Sequence, residues 1–293
     1  MRNIRFMPML VADRIRSSLA SLPRAERRVA HEILSAYPVA GLETVARLAA
    51  RANVSGPTVI RLVMRLGFDG YPEFQATLLQ EIEERTASPL LQFDRHTPTE
   101  DDAVTRTRTL LTSTVDTSLR ELDRDSYALA MDLITDTKRR LVTAGGRFSG
   151  LSAQVLAQHL EIVRPSVTFL PPTTWVPYLM DARKGDVAVI FDVRRYQRAT
   201  VEFGRTCARR GVNVILVTDP WMSPLALDAS AILQVSVEAS SPFDSQVPTL
   251  ALVEAMIAGA VERLGESTLD RIADYDALWD QQGFAAMPSA EPV

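Results

Sequence analysis

The sequence predicts a chain of two parts, an all-α helix-turn-helix region followed by an α/β region built on a parallel sheet. Three observations predict it. Up to about residue 85 the apolar residues recur at helical spacing and no strand-like run appears. From Leu141 onward, short β-branched apolar runs ("LVTA", "SVTFL", "DVAVIFDV", "VNVILVTD", "AILQVSVE") are separated mostly by helical stretches. That is the pattern of five parallel strands buried on both faces. The charge is also divided. Residues 1–80 hold 11 Arg, no Lys and 6 Asp or Glu, a net +5, while the other 213 residues hold 21 Lys or Arg and 30 Asp or Glu, a net −9. A basic head on an acidic body implies that only the head meets a polyanion, and it argues against a protein that coats DNA along its whole length.

Within the 293 residues, positions 1–85 read as the helical domain, 86–102 as a linker, 103–283 as the α/β domain and 284–293 as a disordered tail. The linker stretch "TASPLLQFDRHTPTEDD" has prolines, hydroxyl residues and an acidic end. The single cysteine, Cys207, excludes a disulfide framework, and three scattered histidines do not make a metal centre. No apolar run approaches the roughly 18 residues of a membrane span. The expectation is a soluble, cytoplasmic protein without metal, cofactor or membrane partner.

The helical region justifies its motif in order. Val45, Leu48 and Ala49 give one helix an apolar face, and Asn53 and Val54 make a turn. Ser55 has the chemistry of an N-cap, and Pro57 falls in the first turn of the next helix, where its missing N–H costs nothing. Val59, Leu62, Val63 and Leu66 form its core stripe, and Gly67 stops it. Two short helices about a tight turn are helix-turn-helix geometry. The outer face of the second helix carries Pro57, Thr58, Arg61, Met64 and Arg65. Thr58 and Arg61 are expected to read bases, Arg65 to contact phosphate, and Ser55 to meet a phosphate at the helix start. The alternative is a solvated amphipathic face.

The run "SGPTVIRLVMRLGFDGYPEFQ" resembles the N-terminal module of the RpiR/MurR-type transcriptional regulators. Ser55, Thr58, Val59, Arg61, Leu66, Gly67, Phe68, Gly70, Tyr71, Glu73 and Phe74 match the family pattern, and Leu62 replaces its usual Phe. The aromatic residues Phe68, Tyr71 and Phe74 read as a small core rather than as base-stacking groups. The second half resembles the sugar isomerase (SIS) domain that completes such regulators. "TDPWMSPLALDAS" matches its pattern at Thr218, Ser223, Pro224, Leu225 and Ala226. The resemblance implies the strand order 2-1-3-4-5, a duplex operator that is palindromic by symmetry, a homo-oligomer (dimer or tetramer) and a small-molecule effector.

Two loops meet at the switch point of such a sheet, where ligands of open α/β folds bind. After the first strand, Gly145 and Gly146 turn the chain, Arg147 takes the place of a family glycine, and Ser149 opens a helix. After the third strand comes "FDVRRYQRAT", with three arginines in five residues. The SIS pattern puts a hydroxyl-lined phosphate loop here. This chain has Asp192, Arg194, Arg195 and Gln197 at its ligand positions. The phosphate cup cannot be carried over, and a cationic loop with one carboxylate stands in its place. Arginine forks onto phosphate or carboxylate, so the expectation is an anionic effector held by Arg194 or Arg195 with Ser149 opposite. Two alternatives remain, an internal Asp192–arginine salt bridge closing a dead pocket, and a subunit interface. An isomerase is the rival class. His159 and Glu161, two apart on one helix, do not face each other, and Glu254 alone has the option of pointing inward. No catalytic residue is assigned.

Overall fold

The computed structural model describes residues 10–35, 37–86 and 102–282. The expected tail and all but the two end residues of the expected linker lie outside the described residues. The chain forms two compact units that divide near residue 90.

The first unit is helical: α1 (Val11–Ser18), α2 (Arg24–Ser35), α3 (Val39–Leu42), α4 (Val45–Arg51), α5 (Gly56–Arg65) and α6 (Tyr71–Thr86). Thr44 caps α4, accepting from the Arg47 N–H at 3.3 Å. Asn53 takes the left-handed conformation (φ 51°) in the turn between α4 and α5. The stripe Val59, Leu62, Val63 and Leu66 is buried against Val29, Ile33 and Leu48. Gly67 (φ 89°) ends α5, and the Phe68 N–H returns to the Val63 carbonyl at 3.3 Å. Phe68, Tyr71 and Phe74 are all buried, with the Phe68 and Phe74 rings edge to face. The Tyr71 hydroxyl donates to the Glu43 carbonyl at 2.9 Å, and burial pushes its pKa up to about 12. These aromatics close the core of the unit.

The second unit opens with α7 (Ala103–Arg120) and α8 (Arg124–Thr135), capped by Asp102 and Asp123. It continues as β1 (Leu141–Gly145), α9 (Ser149–Val163), β2 (Val167–Phe169), α10 (Trp175–Asp181), β3 (Val187–Phe191), α11 (Arg198–Arg209), β4 (Asn213–Thr218), β5 (Ala231–Gln234), α12 (Val247–Leu264) and α13 (Glu266–Gln281). The sheet order is β2-β1-β3-β4-β5, with every neighbouring pair parallel. Alternate strand residues feed two cores. Leu141, Val189, Phe191, Ile215 and Val217 pack on the face covered by α8, α9 and α12. Val142, Ala144, Ile190, Val214 and Leu216 pack on the face covered by α10 and α11, together with the buried Cys207. Burial pushes the Cys207 thiol up to about 12. The buried Arg164 donates to the carbonyls of Ile134, Arg139 and Pro165, joining the last turn of α8 and the loop after it to the end of α9. Register places Gly145 beside Phe191, so the loops after β1 and β3 leave the sheet together.

Candidate functional site

Both sequence-predicted regions form connected clusters, each with a rearrangement the sequence did not foretell. On α5, Ser55, Pro57, Arg61 and Arg65 are exposed. Ser55 occupies the N-cap position, but its hydroxyl bonds no helix amide; it lies 3.0 Å from Thr58 Oγ1. Thr58 is only 5% exposed, and its Oγ1 accepts from Arg61 Nη2 at 3.0 Å. Thr58 was expected to read a base; as folded without DNA, its hydroxyl serves Ser55 and Arg61. Arg65 Nε donates to Glu26 Oε2 at 2.8 Å, an acid of α2 that the sequence reading passed over.

At the carboxyl edge of the sheet, Gly145 is needed for close approach: a Cβ there would lie 2.8 Å from the Gly150 nitrogen. The Ser149 hydroxyl, expected to face a ligand, is buried and committed. It donates to the Phe191 carbonyl at 2.7 Å and accepts the Gly146 N–H at 3.0 Å. This ties the two loops, and Gln197 closes over Gly146, where a Cβ would stand 3.2 Å from its Oε1. Arg147 is exposed and lies over the Phe148 ring at 5.2 Å.

The loop after β3 keeps two left-handed residues, Arg194 (φ 50°) and Arg195 (φ 47°). The two arginines differ sharply. Arg194 is half-buried, pairing through Nε with Asp244 Oδ1 at 3.0 Å and lying 4.4 Å over the Trp221 ring. Arg195 is exposed and makes no ion pair or hydrogen bond among the described residues. Arg194, expected together with Arg195 to grip an anion, is already ion-paired to Asp244. Asp192 is buried and accepts from the Ser223 hydroxyl.

The residues behind this loop explain the "T…SPLA" run. Thr218 Oγ1 donates to the Asp192 carbonyl at 2.8 Å and accepts the Ser223 N–H at 3.1 Å, and Ser223 Oγ caps the following turn at Leu225. Asp219, fully buried, accepts from the Arg194 N–H (2.6 Å), the Tyr196 hydroxyl (2.7 Å) and the Trp221 N–H (3.0 Å). Burial holds its pKa above the ordinary carboxylate value, although those donors and Arg194 pull it down. Asp219, Trp221 and Asp244 were missed. The first two sit inside the quoted run, but Asp244 lies 50 residues from its partner and gave no local signal. The isomerase candidates do not assemble: His159, Glu161 and Glu254 are all exposed, so Glu254 does not point inward.

Comparison with known proteins matches residues 9–85 to the helix-turn-helix domain of the rpiR family and residues 133–259 to the SIS domain. The chain is 25% identical over 278 residues to the transcriptional regulator HexR of Escherichia coli (strain K12), covering 90% of this chain and 92% of that one. It is 27% identical over 264 residues to HexR of Pseudomonas aeruginosa (86% and 90% coverage). Among solved structures, the sugar isomerase domain of an RpiR transcription factor from Sphaerobacter thermophilus aligns with TM-score 0.57 at 24% identity, over 60% of this chain and 99% of that one. The Vibrio vulnificus NanR protein, solved in complex with ManNAc-6P, aligns with TM-score 0.53 at 18% identity, over 92% of this chain and 98% of that one. Among the described residues no helix is long and apolar enough to cross a membrane.

Proposed function

The chain belongs to the RpiR-type transcriptional regulators, a helix-turn-helix domain joined to a SIS domain, and from that premise we propose that it senses a small anionic metabolite at the carboxyl edge of its sheet. The observation that carries this reading is Arg195. It is an exposed cation at a backbone angle that suits glycine, on a loop clamped from beneath by Asp219. Strain of this kind persists where the surrounding structure holds it, and it concentrates at ligand sites. Arg147 supplies a second exposed cation on the facing loop. A phosphorylated sugar, the class named in the NanR complex, and sugar acids fit two guanidinium groups equally well by charge.

The same reading gives α5 the major groove, with Arg61 on base edges and Arg65 on phosphate, in a homo-oligomer that sets two helix-turn-helix domains on a palindromic operator. Arg61→Ala costs roughly 1–3 kcal/mol on the specific duplex and little on random DNA. Arg65→Ala weakens both and lowers the salt slope by about one unit. Equal losses for Arg61→Ala on both duplexes would move it to the phosphate class.

The Arg194–Asp244 pair favours one other reading, in which the loop is closed on itself and the SIS domain serves assembly alone. Thermal shift of the full chain against sugar phosphates and sugar acids separates the two. A ligand that raises the melting temperature of the wild type and not of Arg195→Ala supports sensing. Absence of any shift across the panel, or an undiminished shift in Arg195→Ala, supports closure.

A further inference from the structure

Two arginines of α5 share a buried carboxylate from a different helix. Glu26, in the first turn of α2, is 4% exposed. Its Oε2 accepts from Arg65 Nε at 2.8 Å, and its Oε1 stands 4.0 Å from Arg61 Nε. Arg61 is held on its other side by Thr58 Oγ1, which in turn meets Ser55 Oγ. Ser55, Thr58, Arg61, Glu26 and Arg65 thus form one chain of contacts across the outer face of α5. Both arginine side chains remain more than half exposed while the acid between them is covered.

This placement is costly on two counts. A buried carboxylate loses hydration that a neutral side chain of similar size would not lose. Its charge also lies under a surface that meets phosphates, where it opposes binding. What the acid does supply is order. Arginine has among the largest rotamer freedoms of any side chain, and a complex that must freeze it binds less selectively than one in which it is already placed. Arg65 is anchored through Nε, which leaves the paired Nη edge for a ligand.

We infer that Glu26 is a positioning residue for sequence recognition: without touching DNA, it fixes the guanidinium groups of Arg61 and Arg65 and so narrows the set of sequences α5 accepts. This rests on the proposal that α5 faces DNA.

The test uses the full chain, a duplex recovered by in vitro selection with the wild type, and a scrambled duplex of equal length, with affinities from fluorescence anisotropy at two salt concentrations. In Glu26→Gln the affinity for the scrambled duplex rises, because a repulsive charge is gone. Affinity for the selected duplex does not rise in step, so the ratio of the two falls about tenfold. In an Arg61→Ala, Arg65→Ala background the same change leaves the ratio where it is, because nothing remains to be positioned. Two results overturn the inference: both affinities rising equally, which makes Glu26 only a charge, and both falling together with a lower melting temperature, which makes it only structural. Should Glu26→Gln not fold, Glu26→Asp keeps the charge but draws it back by one methylene. A reduced ratio then supports the inference and an unchanged one overturns it. If the two arginine substitutions themselves leave the ratio unchanged, α5 is not the reading helix, and the failure lies in that assignment.

Discussion

Replacing Arg195 by glycine separates what its backbone costs from what its side chain does. At φ 47° a non-glycine residue crowds its Cβ against the chain, a penalty of about 1–2 kcal/mol. Glycine removes that penalty but loses more freedom on folding, about 0.5–1 kcal/mol. The Arg195 side chain is exposed and unpaired among the described residues, so its removal forfeits little. The net is a stabilisation of roughly 0.5–1 kcal/mol, which raises the melting temperature of a unit this size by about 1–4 °C. Arg195→Ala is the control. It keeps the angle and removes the charge, and its stability stays within about 0.5 kcal/mol of wild type. Tryptophan fluorescence gives a clean readout, because all three tryptophans, Trp175, Trp221 and Trp279, lie in the α/β unit. Both variants lose the effector shift, while only the glycine variant gains stability. If Arg195→Gly is no more stable than Arg195→Ala, the backbone there is not strained, and strain no longer marks this loop as a ligand site.

Arg194→Ala strands Asp244 and bares the Trp221 face; it lowers stability by about 1–3 kcal/mol, read as an earlier urea midpoint, and an unmoved midpoint would show the pair to be incidental. Gly204→Ala places a Cβ 2.4 Å from Leu225 Cδ2 and 3.0 Å from Ile190 Cδ1; calorimetry is expected to show a loss of about 1–3 kcal/mol, and wild-type stability would mean the core yields there freely. Asp219 binds its proton more tightly folded than unfolded, so its contribution to stability falls as pH rises from the ordinary aspartate value through its raised one. Asp219→Asn abolishes that slope in urea titrations across the acidic range, and it turns an N–H toward donors that now meet an acceptor, at a cost of about 1–3 kcal/mol; an unchanged slope would place the titration elsewhere.

The parts legible in the sequence were those set by short-range period. The stripe from Val59 to Leu66 and the five apolar runs each announce their own burial, and Gly67 announces a stop because few other residues adopt φ 89°. The burial of Thr58, which the sequence did not announce, has a geometric reason. This residue lies four residues before Leu62 and eight before Leu66, on the flank of the buried stripe, and the helix covers it. The cluster of like charges after β3 was visible as an anomaly, but not its resolution. Asp192, two residues from Arg194, was the obvious partner along the chain. Arg194, in its left-handed turn, also reaches Trp221 and Asp244, and those contacts depend on how the loops after β4 and β5 come together. Glu26 was hidden likewise, since an acid in the first turn of a helix already has a local explanation in the helix dipole.

Cys207 has a practical bearing on all of these experiments. It is the only thiol in 293 residues, it sits on the buried face of α11 against the sheet, and burial pushes its pKa up to about 12, which leaves almost no thiolate at neutral pH. A maleimide probe therefore finds no native target while the α/β unit stays folded. A cysteine introduced at Met64, on the exposed side of α5, takes a single fluorophore without any background substitution, and the unfolding of the α/β unit appears separately as late labelling at Cys207. One chain thus carries a reporter for each half, the engineered thiol for the helix-turn-helix unit and the native one for integrity of the α/β unit.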